Sequence, residues 1–227
     1  MSFTIGVLKE TAADETRVAI TPEIAKKLTQ LNVVIIMEKG AGSLSNFLDE
    51  EYEGVNFDTA SEVLKKSNLL LAVQPITAEQ SNLLGKNNYV VGMIFGHLNK
   101  KTVNSLKTNE QTSFAMELMP RISRAQSMDV LSSQAAAAGY QAVLIAANTL
   151  DKFFPMLTTA AGTIRPAQIL IIGAGVAGLQ AIATAKRLGA IVKGYDVRSA
   201  TKEQIESLGA KFVETGGSAE GKGGYAR

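Results

Sequence analysis

The chain is predicted to be α/β, with two parallel-sheet units joined by a long helix and the second unit truncated. Three observations carry that expectation. Short β-rich runs alternate with helical stretches over roughly residues 1–125, a pattern that builds a mainly parallel sheet. An alanine-rich run over residues 127–147 reads as one long helix. A second alternation begins near Ala167, where an apolar strand runs directly into Gly173-Ala174-Gly175-Val176-Ala177-Gly178. The expected divisions are an N-terminal α/β unit at 1–126, a connecting helix and linker at 127–166, and a second unit at 167–227.

In the first unit, residues 3–8 read as a strand. Thr21-Pro22-Glu23 opens a helix through residue 31, with Thr21 as N-cap and Pro22 at the first helical position. Residues 33–38 form a β-rich run that Gly40-Ala41-Gly42-Ser43 breaks. Residues 49–52 and 60–66 read as short helices and 69–73 as a buried strand. A helix at 78–84, a strand at 89–95, a helix at 101–107 and a short strand at 112–115 complete the alternation. The stretch Ala160-Ala161-Gly162-Thr163-Ile164-Arg165-Pro166 is a turn-rich approach to the second unit.

The second unit carries the strongest motif. Residues 168–172 read as a buried strand, 179–188 as a helix and 191–195 as a second strand, followed by Asp196. Strand, Gly-x-Gly-x-x-Gly, helix, strand and acid in this order form the dinucleotide-binding pattern of a Rossmann-like domain. Gly173, Gly175 and Gly178 let the backbone turn tightly and approach a pyrophosphate. The helix beginning near Val176 then faces the phosphates with unpaired N–H groups and a positive dipole end. Asp196 can accept hydrogen bonds from both hydroxyls of an adenosine ribose and would repel a 2′-phosphate, which favours NAD over NADP. Arg198 stands close enough to weaken that preference.

Composition sets further bounds. The 227 residues carry 23 basic and 21 acidic side chains, a net charge of +2, and 46% are hydrophobic, enough for a globular core. No basic stripe with interleaved aromatics is present, which argues against a nucleic-acid partner. There are no cysteines, so disulfides, thiolate metal sites and cysteine nucleophiles are excluded. No His/Cys cluster suggests a metal. No uninterrupted apolar run approaches about 18 residues, so no membrane span is expected, and the N-terminus does not read as a signal peptide. The residues after Ala167 suffice for βαβα and a third strand, whereas two mononucleotide halves need more. The chain is therefore expected to be a piece of a longer protein, with an apolar sheet edge left exposed.

Three segments together resemble one family: Lys9-Glu10 through Arg17-Val18-Ala19-Ile20-Thr21-Pro22, Pro120-Arg121-Ile122-Ser123-Arg124-Ala125-Gln126-Ser127-Met128-Asp129 on to Ser132, and residues 173–196. The resemblance is to the alanine dehydrogenase and pyridine nucleotide transhydrogenase superfamily. Within it, the similarity is to the NAD(H)-binding domain I of proton-translocating transhydrogenases. It implies two α/β domains with the nucleotide in the cleft between them, and a homodimer. It also implies NADP(H) on a partner domain III or beta subunit, and a membrane domain II that couples hydride transfer to proton movement. The expected location is peripheral, on the cytoplasmic side of the inner or plasma membrane.

The same resemblance assigns site residues. Arg121, Ile122, Ser123, Gln126, Ser127, Met128, Asp129 and Ser132 match the loop at the nicotinamide end of NAD(H). Gln126 can bond the carboxamide, while Arg121 and Asp129 can hold each other and the nicotinamide ribose. Spacing alone favours the simpler reading, the start of a helix with a surface ion pair; the resemblance turns it toward the nucleotide. Gly173, Gly175, Val176 and Gly178 carry the pyrophosphate turn, and Asp196, Val197 and Arg198 match the adenosine-ribose region. Gly224 and Tyr225 match a mobile loop that closes over bound nucleotide.

Two departures separate the chain from the alanine dehydrogenases. Arg17 matches their substrate-carboxylate position and His97 their acid/base, but Gln74 stands where they carry a substrate-binding lysine. The aspartate expected later in that family lies beyond Arg227. An NAD-dependent amino-acid dehydrogenase of the alanine type is the alternative, and a non-catalytic nucleotide sensor a third reading. Direct hydride transfer between two nicotinamides needs no acid or base from the protein, which suits a chain with one histidine.

Overall fold

The computed structural model describes residues 3–120 and 122–215, and the chain divides into two compact units, Met1–Asp129 and Val130–Arg227. In the first, six strands form one parallel sheet: β1 (Thr4–Val7), β2 (Val34–Glu38), β3 (Asn56–Asp58), β4 (Leu69–Leu71), β5 (Tyr89–Gly92) and β6 (Thr112–Ala115). Between them run α1 (Pro22–Thr29), α2 (Ala60–Lys66), α3 (Ala78–Leu84) and α4 (Lys100–Thr108). The strand order is β3-β2-β1-β4-β5-β6. The chain winds outward from β1 to β3, then returns to β4 on the other side of β1. The carboxyl ends of β1 and β4 thus flank the point where winding reverses, the crevice at which open α/β sheets take ligands.

Both faces of this sheet are covered, which is why its strands read as near-continuous apolar runs. Ile35 and Met37 join Val7, Ile20 and Ala25 on one face. Ile36, between them in sequence, joins Val63, Leu64, Leu70, Val90 and Leu106 on the other. Thr21 caps α1 as expected, its Oγ1 accepting from the Ile24 N–H at 3.4 Å with Pro22 at the helix start.

At the carboxyl edge of the sheet, backbone amides are received by carboxylates of the protein itself. Glu38 accepts from the Lys9 N–H at 2.9 Å, just past β1. Glu10 accepts from the Val73 and Gln74 N–H groups at 2.6 and 3.2 Å, just past β4. Glu117 accepts from the Ile94 and Phe95 N–H groups at 3.0 and 2.7 Å, past β5. The last clamp holds Phe95 at φ 43°, a conformation that side-chain-bearing residues adopt rarely.

The second unit begins with α5 (Val130–Thr149), followed by a hairpin of β7 (Leu157–Thr159) and β8 (Gly162–Ile164). Then come β9 (Gln168–Ile172), α6 (Val176–Arg187), β10 (Ile191–Tyr195), α7 (Thr201–Ser207) and β11 (Lys211–Phe212). Its three parallel strands lie in the order β11-β10-β9. Ile169, Ile171 and Val192 pack with Val143, Ala181, Ile182, Ala185 and Ile205 in one core.

Several expectations require correction. The long helix starts at Val130, not at residue 127. Ser123–Met128 form a separate 3-10 segment, and Asp129 leaves the helical region at φ −79°, ψ 87°. Residues 49–52 give only a 3-10 turn, Asp49–Glu51; the Asp49 carboxylate is engaged by the Gly40 N–H at 3.0 Å. The turn-rich stretch after residue 160 contributes a strand to the hairpin. β9 is not buried on both faces: Leu170 and Ile172 are 54% and 77% exposed, because the helices cover one face of this sheet and β9 is its edge. Finally, α5 is 20 residues long with a mean hydropathy of 1.3, long and apolar enough to cross a membrane by length and composition alone. Alanines make up much of it, and the helix is packed on α6.

The α5–α6 contact depends on Gly139. A Cβ there would lie 2.1 Å from the carbonyl oxygen of Ala177 in α6. Gly139→Ala should force the helices apart and destabilise the protein by about 1–3 kcal/mol, read as a lower midpoint in urea unfolding followed by circular dichroism. An unchanged midpoint would show that the contact gives way at no cost.

Candidate nucleotide-binding site

β9 ends at Ile172, and the chain then turns sharply. Gly173 takes φ +95°, which only glycine adopts without strain. Its N–H donates to the Tyr195 carbonyl at 2.8 Å, tying the turn to the end of β10. Gly178 lets the first turn of α6 sit on this loop: a Cβ there would stand 1.7 Å from the Gly173 carbonyl oxygen. Gly175 is different. A Cβ on it would meet nothing within 4 Å, and its φ of −76° is open to any residue. Its lack of a side chain therefore serves no contact among the described residues and keeps the mouth of α6 clear. Among the described residues no side chain caps that helix, so the amides of its first turn can receive an anion.

Asp196, just past β10, supports the loop from below. Its Oδ2 accepts from the Ala174 N–H at 2.6 Å and its Oδ1 from the Arg198 N–H at 2.9 Å. Arg198 Nε and Nη2 complete a two-pronged ion pair at 2.9 and 3.0 Å. The Asp196 side chain is 7% exposed. The Arg198 guanidinium, assisted by the Ala174 and Arg198 amides, holds this carboxyl far below the usual aspartate range. The roughly four acceptor positions of a carboxylate are thus all engaged, so a ribose diol must displace the Arg198 guanidinium to reach Asp196.

Residues 6–138 match the family described as Alanine dehydrogenase/PNT, N-terminal domain, and residues 142–222 its C-terminal domain. The chain belongs to the alanine dehydrogenase/PNT family. Over 231 residues it is 48% identical to the first part of the NAD(P) transhydrogenase alpha subunit of Rickettsia prowazekii, covering 98% of this chain and 60% of that relative. A transhydrogenase crystal structure from Sinorhizobium meliloti matches with a TM-score of 0.89 and 47% identity, over 93% of this chain and 64% of that one. Alanine dehydrogenase of Mycolicibacterium smegmatis is 27% identical over 93% of this chain and 58% of its own length. The chain thus spans about 60% of the length of these relatives.

The structure gathers Gly173, Gly175, Val176, Gly178, Asp196, Val197 and Arg198 at the carboxyl ends of β9 and β10. Val176 is exposed and Val197 half-buried. Ile122, Ser123, Gln126, Ser127 and Met128 lie exposed on the 3-10 segment that ends the first unit, with Asp129 at its close and Ser132 in the first turn of α5. Arg121, Gly224 and Tyr225 lie outside the described residues. His97 is exposed in the turn between β5 and α4. Sequence reasoning missed Ala174, whose N–H is the loop's own hold on Asp196; no side-chain pattern announces a backbone donor.

Asp196 makes a pH-dependent contribution. Its folded pKa is depressed, so its stabilisation is present above the unfolded value of about 3.9 and is lost as pH falls toward the folded value. Wild type should therefore melt above Asp196→Asn at neutral pH, and the gap should close in acid below about pH 4. A gap that does not change with pH would show that the ion pair contributes nothing.

Proposed function

We propose that the chain is the NAD(H)-binding component of a proton-translocating transhydrogenase, from which hydride passes directly to NADP+ on a partner domain. The observation that carries this reading is the clear space at Gly175, above the N-terminus of α6 and beside the Asp196 carboxylate. Relatives that match over 98% of the chain and are named as the first part of an NAD(P) transhydrogenase alpha subunit support the same assignment. The partners are an NADP(H)-binding domain III or beta subunit, a membrane domain II that couples the transfer to proton movement, and a second copy of this chain. This component sits peripherally, on the cytoplasmic side of the inner or plasma membrane.

The residues fit a dinucleotide. The first-turn amides of α6, from Val176 to Gly178, receive the diphosphate. Asp196 takes the adenosine ribose diol as Arg198 swings off it, and Val197 lines that pocket. Gln126 offers its amide to the nicotinamide carboxamide, with Arg121, Asp129 and Ser132 on the nicotinamide ribose and Ile122, Ser123, Ser127 and Met128 around it. Bound NADH supplies the hydride. The chain provides position, orientation and exclusion of water, and no side chain moves a proton. An alanine dehydrogenase activity is disfavoured by Gln74, which cannot supply the cationic partner of a keto acid.

Gly175→Val separates site from scaffold. A Cβ there meets nothing within 4 Å among the described residues, so the melting temperature should fall only slightly, through the loss of a glycine N-cap, while NADH affinity by fluorescence titration should fall at least about tenfold as the side chain blocks the diphosphate. Unchanged affinity would remove the loop from nucleotide binding. The full-length protein, mixed with its NADP(H)-binding partner, should pass deuterium from labelled NADH to an NADP+ analogue without loss to water. NADH binding without label transfer would defeat the transhydrogenase reading, and no NADH binding at millimolar concentration would defeat the nucleotide reading as well.

A further inference from the structure

The β7–β8 hairpin of the second unit is three residues a side, with Leu157, Thr158 and Thr159 opposite Ile164, Thr163 and Gly162. Among the described residues no third strand pairs with it, and two strands alone are marginal in water. All three residues of β8 are exposed, whereas Leu157 of β7 is half-buried, so β8 is the barer edge. Natural sheets guard such an edge with lysine, proline or an inward charge. From Leu157 to Ile164 the hairpin carries no charge and no proline, and its threonines and Ile164 favour strand pairing.

The edge borders an apolar hollow of about 780 Å³, lined by Leu150, Phe153, Phe154, Pro155, Ile164 and Leu188. Ile164 belongs to both features. Phe153 and, next to Pro155, Met156 are 54% and 61% exposed. Exposed apolar surface gathered in one place marks contact with another molecule.

We propose that the β8 edge and this hollow meet a second copy of the chain, the two β8 strands pairing antiparallel across a twofold axis. This names the surface for the second copy in the proposed function and rests on that reading. A twofold contact requires a surface that complements itself, and an uncharged strand laid antiparallel on its own copy opposes no like charges. Projecting apolar side chains and a receiving hollow occur in the same unit, so each copy both gives and receives. The rim of the hollow carries both signs side by side, Asp151 and Lys152, each exposed. A twofold can therefore set each acid against the other copy's base. The joined hairpins make one four-stranded sheet, which removes the isolation of each pair.

The test is sedimentation equilibrium of the full chain, joined to cross-linking. Wild type should be dimeric at concentrations on the order of 100 μM. Thr163→Lys sets like charges across the axis and should weaken the dimer at least about tenfold. Thr163 is exposed, so the fold and the NADH affinity of that variant should match wild type. The chain has no cysteine. Facing residues of an antiparallel pair lie about 4.5–5.5 Å apart at Cα, within reach of a disulfide. Oxidised Thr163→Cys should thus be captured as a covalent dimer, and Ser207→Cys on α7 should not. The proposal fails if wild type is a monomer, which would leave the edge to a strand of another protein. It fails equally if Thr163→Lys dimerises as tightly as wild type, or if Thr163→Cys cross-links no better than Ser207→Cys. Should Thr163→Lys not fold, Phe153→Glu at the hollow must weaken the dimer in its place, and a dimer unchanged by it overturns the proposal. A dimer that binds no NADH would defeat the nucleotide reading and keep this one.

Discussion

Backbone amides emerging at the carboxyl ends of parallel strands need acceptors, and both units are organised by how that need is met. An amide left without a partner in a buried position costs about 1–3 kcal/mol. In the first unit, carboxylates of the chain itself meet the demand: Glu38 past β1, Glu10 past β4 and Glu117 past β5. Burial pushes Glu10 up from the usual carboxylate range, and the Val73 and Gln74 amides work against that rise more than the distant charge of Arg17 does. These clamps also hold the loops in place, including the one that keeps Phe95 in its unusual conformation.

The second unit meets the same demand differently. Asp196 takes one loop amide, that of Ala174, but among the described residues no side chain caps α6. The difference between the two sheets is one of occupancy. One edge is filled by internal anions, and at the other glycine leaves the first-turn amides of α6 clear among the described residues. The Asp196–Arg198 pair lies between these extremes, since its carboxylate is satisfied internally yet the guanidinium that satisfies it is partly exposed. On the proposed reading, nucleotide binding there exchanges one partner for another and does not fill an empty acceptor.

Much of this was legible because it rests on local rules. Thr21-Pro22 announced α1, the alternation of apolar runs announced β1, β2, β4 and β5, and residues 60–66, 78–84 and 112–115 were read at their observed bounds. β3 was not legible: Asn56-Phe57-Asp58 has no strand pattern and is extended because it pairs with Ile36, Met37 and Glu38 of β2. The break at Asp129 was hidden because Ser123–Met128 has ordinary helix-forming residues, and its 3-10 winding follows from no single side chain. Of the candidate site, the glycine spacing and the acid were visible. The engagement of Asp196 by Arg198 and Ala174 was not, since a spacing of residues does not say which partner a carboxylate takes.

The sequence by itself determined the α/β class, the strand–glycine–helix–strand–acid order and the glycines that order requires, because each depends on residues close together in the chain. Only the tertiary structure decided the strand order that brings β1 beside β4, the open face of β9, and the meeting of Glu15 with Gln74. Those contacts join residues far apart in sequence, and their partners are chosen by packing and by the need of backbone amides for acceptors, neither of which a linear pattern records.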